Sequence, residues 1–228
     1  MRCRRGCEGL VKLLLGRGNT DPNRRDQGGQ TPLSIAVQSG SEGAVKLLLQ
    51  RGDVNPNTSD CYNKTPRHYA AITGFEDAMN LLLERGDVDP DLLDCNGKAP
   101  LSLAAECGNE GILKILLERG NGDPNLSDWD GRTPLSVAAQ CGREGVVKLL
   151  LDRRDTDPNL SDEGGRTPLS YAAESGCEKI TKLLLERRDV NPDSPDRNGL
   201  TPLSYATRSN CFGTMRLLSK PRSSSHET

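Results

Sequence analysis

The side chains that most often carry acid–base or nucleophilic chemistry are either rare in this sequence or regularly repeated. Histidine occurs only as His68 and His226, and no cluster of cysteine and histidine has the spacing of a zinc site. Carboxylates are numerous, but they recur at equal intervals, as turns and helix caps do, whereas a catalytic pair would occur once. We therefore predict no enzymatic activity, no catalytic residue, no metal site and no cofactor.

Six of the eight cysteines form pairs that are 34 residues apart. The pairs are Cys61 and Cys95, Cys107 and Cys141, and Cys177 and Cys211. Equivalent positions in neighbouring packed helical units lie roughly 10 Å apart, whereas a disulfide requires Cα atoms within about 7 Å of each other. We expect reduced thiols in an intracellular protein, either cytoplasmic or nuclear.

The same interval of 34 residues organises nearly the whole chain. Thr-Pro, replaced once by Ala-Pro, begins at positions 31, 65, 99, 133, 167 and 201. Each pair follows an aspartate by five residues and a glycine by two, with asparagine in place of glycine at position 63. A further proline recurs at 22, 56, 90, 124, 158 and 192. Four positions that stay in phase over six periods indicate a stack of repeats.

Each repeated residue type has a local structural reason. Glycine in the turn supplies positive φ, the threonine caps a short first helix, and the proline fits the first turn of that helix. A second helix, from about Glu42 to Gln50, carries an apolar face that includes Val45 and Leu48. One unit cannot bury this face alone. The predicted fold is therefore all-α, a solenoid of stacked helix-turn-helix repeats joined by turns or β-hairpin-like loops.

Composition and charge exclude several other classes of protein. Apolar residues make up 34% of the chain and aromatic residues 3%, which is little for one globular core but sufficient for many small ones. The formal net charge of −2 comes without the basic stripe that nucleic-acid binding requires. No apolar stretch is long enough to span a bilayer. We expect neither nucleic acid nor a membrane as a partner.

The repeat phase predicts a single domain over residues 1–219, followed by a disordered tail at 220–228. Within it we expect a truncated N-terminal repeat at 1–25, in which Arg2 falls at a packed position, so that this repeat frays or the natural protein begins earlier. The full repeats are predicted at 26–59, 60–93, 94–127, 128–161 and 162–195. A capping repeat is predicted at 196–219.

These motifs resemble ankyrin repeats. The repeated pattern is Asp-x-x-Gly-x-Thr-Pro-Leu-Ser-x-Ala-Ala followed by Gly-x-Glu-x-x-Val-Lys-Leu-Leu-Leu, and it is most complete from Asp128 to Leu151. Two features depart from the family, namely a period of 34 instead of 33 and serine where histidine is usual. Only His68 keeps that histidine. In the family this side chain forms a hydrogen bond with the backbone of the next repeat. We therefore expect serines such as Ser34 to form the same hydrogen bond with a shorter reach.

The resemblance implies a non-catalytic scaffold or adaptor for protein–protein interaction, whose protein partner is unidentified, and we expect it to act as a monomer. The variant is similar to ankyrin arrays of filamentous fungi, which often form the sensing tail of NTPase-containing receptors. This similarity leaves an alternative open. The chain would then be a C-terminal sensing or regulatory segment of a larger NTPase-type receptor or enzyme.

In ankyrin arrays the turns and the first helices line the concave side, and here the turn tips vary while the frame does not. Trp129 is the only tryptophan, and Trp, Tyr and Arg dominate the energetic centres of interfaces. We predict partner contacts at Trp129, Asp130, Arg132, Arg166, Tyr171, Tyr62, Tyr69, Tyr205, Leu126 and Leu160. The alternative is that Trp129 covers the adjoining turn and that the tyrosines pack between helices.

Overall fold

The computed structural model describes residues 21–86, 91–119 and 122–220. Within these ranges the chain forms twelve helices and no strand. The helices are α1 (Pro32–Gln38), α2 (Glu42–Leu49), α3 (Pro66–Thr73), α4 (Glu76–Glu84), α5 (Pro100–Cys107), α6 (Glu110–Glu118), α7 (Pro134–Gln140), α8 (Glu144–Leu151), α9 (Pro168–Glu174), α10 (Glu178–Glu186), α11 (Pro202–Arg208) and α12 (Phe212–Leu218). The prediction of an all-α helix-turn-helix solenoid is confirmed.

The chain divides into two compact units, unit 1 over Met1–Trp129 and unit 2 over Asp130–Thr228. In unit 1 the first helices α1, α3 and α5 pack side by side, and the second helices α2, α4 and α6 pack in a parallel layer. Unit 2 repeats this arrangement, with α7, α9 and α11 in one layer and α8, α10 and α12 in the other. The truncated first repeat and most of the predicted tail lie outside the described residues.

Threonine and proline start the first helices as the sequence predicts. Thr31 has extended backbone angles, and its hydroxyl accepts a hydrogen bond from the Ser34 N–H at 3.3 Å. Thr133, Thr167 and Thr201 cap their helices in the same way. Helix α5 is the exception because Ala99 stands at its cap position and offers no side-chain acceptor.

The turn before each first helix is built on its aspartate. Oδ1 of Asp26 accepts hydrogen bonds from the backbone N–H groups of Gly28 and Gln30 at 2.9 and 2.8 Å. Asn63 takes the left-handed conformation with φ of 58°, as the glycines do at this position of the other turns. The substitution of asparagine for glycine therefore preserves the turn.

Successive turn tips are joined by single backbone hydrogen bonds. In unit 1 the donor and acceptor pairs are Cys61 N to Gly28 O, Cys95 N to Tyr62 O and Trp129 N to Asn96 O, at 3.1, 2.9 and 3.2 Å. In unit 2 they are Glu163 N to Asp130 O and Arg197 N to Gly164 O, at 3.0 and 2.9 Å. These bonds hold the tips of each unit in a regular row.

Small and branched apolar side chains fill the space between helices. Alanines of the first helices, such as Ala70 and Ala104, are fully buried, as are Met79 and Leu113 of the second helices. Each large apolar side chain buried in this way contributes roughly 1.5–3 kcal/mol before the entropy cost. No disulfide joins the six cysteines of the described ranges.

The Asp-Pro-Asn loops behind the second helices form another set of links between repeats. The side chain of Asn159 donates to Asp189 O at 2.6 Å and accepts from Asn191 N at 2.9 Å. Arg187 donates to the carbonyl oxygens of Leu151 and Arg153, at the end of the preceding second helix, at 2.8 and 3.3 Å. These loops are therefore ordered connections that fix the spacing of the repeats in unit 2.

The expectation that serine replaces histidine between repeats is wrong. Nδ1 of His68 accepts from Thr65 N at 3.1 Å, and Nε2 reaches Lys98 O in the next repeat at 3.2 Å. The hydroxyl of Ser34 instead lies 3.2 Å from the Thr31 hydroxyl of its own repeat. Ser136, Ser170 and Ser204 do the same. The serine side chain is too short to span the gap and reinforces the cap instead.

Candidate interaction surface

Trp129 is at the same time packed against a turn and largely exposed. Its indole lies on Gly97, where an added Cβ atom would come within 2.2 Å of the indole Cδ1 and 2.6 Å of the Trp129 backbone nitrogen. The side chain nevertheless remains 62% exposed. The ring therefore covers the adjoining turn with one face and leaves the rest accessible to solvent.

Tyr62 is a second exposed aromatic residue in the row of turn tips of unit 1. It is 59% exposed, and the ammonium of Lys64 lies 5.7 Å from the centre of its ring. The same ammonium is 3.2 Å from Oδ2 of the buried Asp94. Burial of Asp94 opposes its ionisation, but hydrogen bonds from the backbone of Lys98 and Asn96 and the ion pair with Lys64 lower its pKa.

The charges next to these aromatic residues are neutralised within unit 1. Lys64 is paired with Asp94, and Nζ of Lys98 lies 2.8 Å from a carboxylate oxygen of Glu106. Leu126, which was also predicted to contact a partner, is half-buried. The tips of unit 1 therefore present neutral polar and aromatic groups.

The three tyrosines of the first helices are buried rather than exposed. The hydroxyl of Tyr69 donates to Oδ2 of Asp60 and accepts from Gln30 at 2.8 Å. Burial, followed by the hydrogen bond to Asp60, raises the pKa of Tyr69 to about 12. The Tyr171 and Tyr205 hydroxyls donate to the turn aspartates of their own repeats at 2.5 and 2.6 Å. These rings stabilise the turns and remain neutral at physiological pH.

Arg166 is held between two of these tyrosines in unit 2. Its guanidinium carbon lies 4.2 Å from the ring centre of Tyr171 and 4.3 Å from that of Tyr205. One guanidinium nitrogen also bonds a carboxylate oxygen of Glu174. A cation over an aromatic ring gains roughly 0.5–2 kcal/mol per contact. The stack fixes this guanidinium in a single position across two repeats.

The other predicted residues of unit 2 lie at its tips and loops. Arg132 pairs with Asp130, which is much the more exposed partner, at 2.8 Å. Leu160 lies in an outer loop and is 36% exposed. The structure thus brings Arg166, Tyr171 and Tyr205 into direct contact within unit 2 and places Trp129 and Tyr62 in the tip row of unit 1.

Sequence reasoning did not identify several residues that organise this surface. Glu106 and Glu174 each neutralise a basic residue eight positions earlier in the same repeat. Asp60, Asp162 and Asp196 each accept a hydrogen bond from a tyrosine nine positions later. These intervals are regular, so a search for charge and hydroxyl partners at equal spacing could have found them.

Neither a metal site nor a membrane span is found in the described parts of the chain. The described histidine, cysteine, aspartate and glutamate side chains form no group of three that could hold a metal ion. No described helix has the length and apolar character needed to cross a bilayer.

Comparison with known proteins agrees with the architecture. A family model for ankyrin repeats, in three copies, matches residues 1–91, 85–162 and 154–226. The crystal structure of EF0377, an ankyrin repeat protein, superposes with a TM-score of 0.76 at 26% identity and covers 83% of this chain and 96% of its own. The ankyrin repeat domain of Bcl-3, described as a unique member of the IkappaB protein family, gives a TM-score of 0.74 at 31% identity over 84% of this chain and 86% of its own.

No curated protein matches the sequence significantly. The three copies of the family model nevertheless extend over nearly the whole sequence. Because of that match, the chain belongs to the ankyrin repeat family.

Proposed function

We propose that this chain is a non-catalytic scaffold or adaptor that binds a protein partner through its turn tips and first helices. Ankyrin repeats in general mediate protein–protein interaction and are typically not catalytic. The formal net charge of −2 favours a protein partner over a nucleic acid, which would require a positive surface. We propose further that the chain acts as a monomer.

Trp129 is the observation that carries the proposal. Its exposed ring is placed by a backbone hydrogen bond to Asn96 and by close contact with Gly97. A large ring that is already positioned loses little side-chain entropy on binding. Tryptophan is also the residue type most enriched among energetically dominant contacts. The frame itself does not need this ring, since Cys61, Cys95 and Glu163 occupy the equivalent tips.

The remaining predicted residues divide into direct contacts and supports. Tyr62 offers a further apolar contact in the tip row of unit 1, and the half-buried Leu126 offers one three residues before Trp129. Arg132 and Asp130 offer polar contacts at the first tip of unit 2, and Leu160 offers an apolar contact in a loop of that unit.

The buried tyrosines have a different role. We assign Tyr69, Tyr171 and Tyr205 to positioning, because their hydroxyls are occupied by turn aspartates. Arg166 is then a preorganised cation, held by two rings and by Glu174, whose side chain is only partly accessible to a partner.

The test compares the proteins captured from a cell extract by the immobilised parent chain and by variants. We expect Trp129→Ala, combined with Arg132→Ala, to reduce the amount of each specifically captured protein at least tenfold. Phe212→Ala is the matched control, since Phe212 is 76% exposed but lies on a second helix away from the tips. If the double variant retains what the parent and the control retain, this surface does not bind the partner.

A further inference from the structure

The last repeat of unit 2 departs from the charge pattern of the repeats that precede it. Lys98 and Glu106 form an ion pair within one repeat, and Arg166 and Glu174 form the equivalent pair in another. In the last repeat the same two positions are Leu200 and Arg208. The position that supplies a carboxylate in those two repeats, and a neutral residue in the other three (Gln38, Ile72 and Gln140), therefore supplies a guanidinium here.

Both substitutions have a structural consequence. Leu200 packs against the small core of Tyr205 and Ala206, which closes this end of unit 2. Because position 200 is leucine, the residue at position 208 has no basic partner of the kind that Glu106 and Glu174 have. It is exposed in the last turn of α11, and within the described ranges it forms no ion pair.

Arg197 adds a second positive charge to the same repeat. It occupies the turn tip, its backbone N–H donates to Gly164 O, and its side chain is exposed and, among the described residues, unpaired. The acidic groups nearby are largely committed, since Asp196 binds the Tyr205 hydroxyl and Glu174 binds Arg166. Glu163, at the preceding tip, and Asp193, four residues before Arg197, are exposed acids.

We propose that the last repeat binds an acidic segment of the protein partner, with Arg197 and Arg208 as its two carboxylate contacts. The proposal rests on the proposed function and names the chemistry of the partner. Arg197 lies in the turn before α11 and Arg208 is the last residue of α11, whose seven residues span about 10 Å. An extended peptide covers this distance with three to five residues. The segment therefore carries acidic residues at about that spacing.

The same surface explains why the partner segment is acidic rather than simply polar. Arginine binds carboxylates through a planar pair of donors and binds them more strongly than neutral acceptors. Leu203, near the start of the same helix, is also exposed and offers an apolar contact. A basic segment is repelled by both guanidinium groups.

Fluorescence anisotropy with a labelled dodecapeptide tests the proposal. In this peptide three glutamates are spaced four residues apart among glycines and serines. A peptide with glutamine in place of glutamate is the matched probe. We expect the parent chain to bind the glutamate peptide at least ten times more tightly at low salt, and to lose that preference at high salt. Arg197→Gln combined with Arg208→Gln removes the preference.

The control is Arg51→Gln combined with Arg153→Gln, which changes the net charge equally but alters arginines that are paired with Asp53 and Asp155. It should bind like the parent. Equal binding of the two peptides by the parent, or an unchanged preference in the Arg197 and Arg208 variant, overturns the inference. If that variant also captures the same proteins as the parent while Trp129→Ala loses them, the inference fails and the proposed function stands.

Discussion

The turn tips of unit 1 are neutral and partly aromatic, whereas those of unit 2 are mostly charged. Unit 1 presents Gln27, Gly28, Cys61, Tyr62, Cys95, Asn96 and Trp129, and unit 2 presents Asp130, Glu163, Gly164, Arg197 and Asn198. The hydrogen bonds that order the two rows are the same. The same local frame thus presents two different surface chemistries.

The frames beneath these tips also differ, although less. Every cap in unit 2 uses threonine with serine three residues later. Unit 1 is less regular, because His68 replaces that serine in one repeat and Ala99 replaces the threonine in the next. Matched substitutions at these positions should therefore change the stability of the two units by different amounts or in opposite directions.

The largest expected effect comes from Gly97→Ala in unit 1. The alanine must adopt φ of about 74° and its Cβ collides with Trp129, so strain and overpacking together cost about 3 kcal/mol. Gly199→Ala in unit 2 is the matched control, since Gly199 has a similar φ but no atom within 4 Å of an added Cβ. It should cost about 1 kcal/mol. Urea unfolding measures both, and equal losses would show that Trp129 does not constrain its turn.

Acid should destabilise unit 1 through His68, whereas the described residues of unit 2 include no histidine. Burial, partly opposed by Asp94, lowers the pKa of His68 from 6.5 to about 4. The folded state therefore binds this proton less readily than the unfolded chain, so the stabilisation is complete above pH 6.5 and is lost as the pH falls towards 4. We expect a loss of about 2 kcal/mol by pH 5.

The variant His68→Ser removes this titration and adopts the residue found in five other repeats. Amide hydrogen exchange at pH 7.5 and 5, followed separately in the two units, measures the effect. An equally large fall in the protection of α3 in the parent and in the variant would contradict the assignment to His68.

Arg166→Ala should destabilise unit 2 by about 1.5 kcal/mol, because it removes contacts with two rings and leaves Glu174 without its cation. The counterpart in unit 1 is Lys98→Ala, which breaks an ion pair with Glu106 that has no ring beside it. A partly exposed pair of that kind is worth at most about 1 kcal/mol. Thermal unfolding compares the two variants, and equal shifts of the melting temperature would mean that the rings add nothing.

The smallest effect should come from restoring the missing cap in unit 1. Ala99→Thr gives α5 the acceptor that its neighbours have, and it also gives a partner to the buried Ser102 hydroxyl, which has none in the described structure. The expected gain is about 1 kcal/mol. Thr133→Ala in unit 2 should lose a similar amount. If Ala99→Thr leaves the free energy of unfolding in denaturant unchanged, the missing cap does not lower the stability of α5.

The frame could be predicted from the sequence because each of its residues acts locally. A glycine in a turn or a Thr-Pro pair at a helix start requires only its neighbours, so Gly29 and Thr31 could be assigned without a structure. The contacts of the surface depend on residues more than thirty positions apart. Trp129 against Gly97 and Arg166 against Tyr205 are examples, and local patterns do not contain them.

The role of serine shows a related limit. The sequence identified Ser34 as a replacement for histidine, but not the geometry that follows from its length. Which partner a hydroxyl reaches depends on separations of a few ångströms between repeats, and these emerge only from packing. The predictions of a single domain over 1–219 and of the partner contacts remain predictions.

The hydrogen bonds between neighbouring tips join main-chain atoms only, at residues such as Cys95 and Tyr62. Any residue except proline at the donor position can form them, so the identity of the side chain is irrelevant to the link. Combinatorial randomisation at positions 27, 61, 95, 163 and 197 should therefore yield mostly folded variants with altered selectivity. The architecture separates the evolution of recognition from the maintenance of folding.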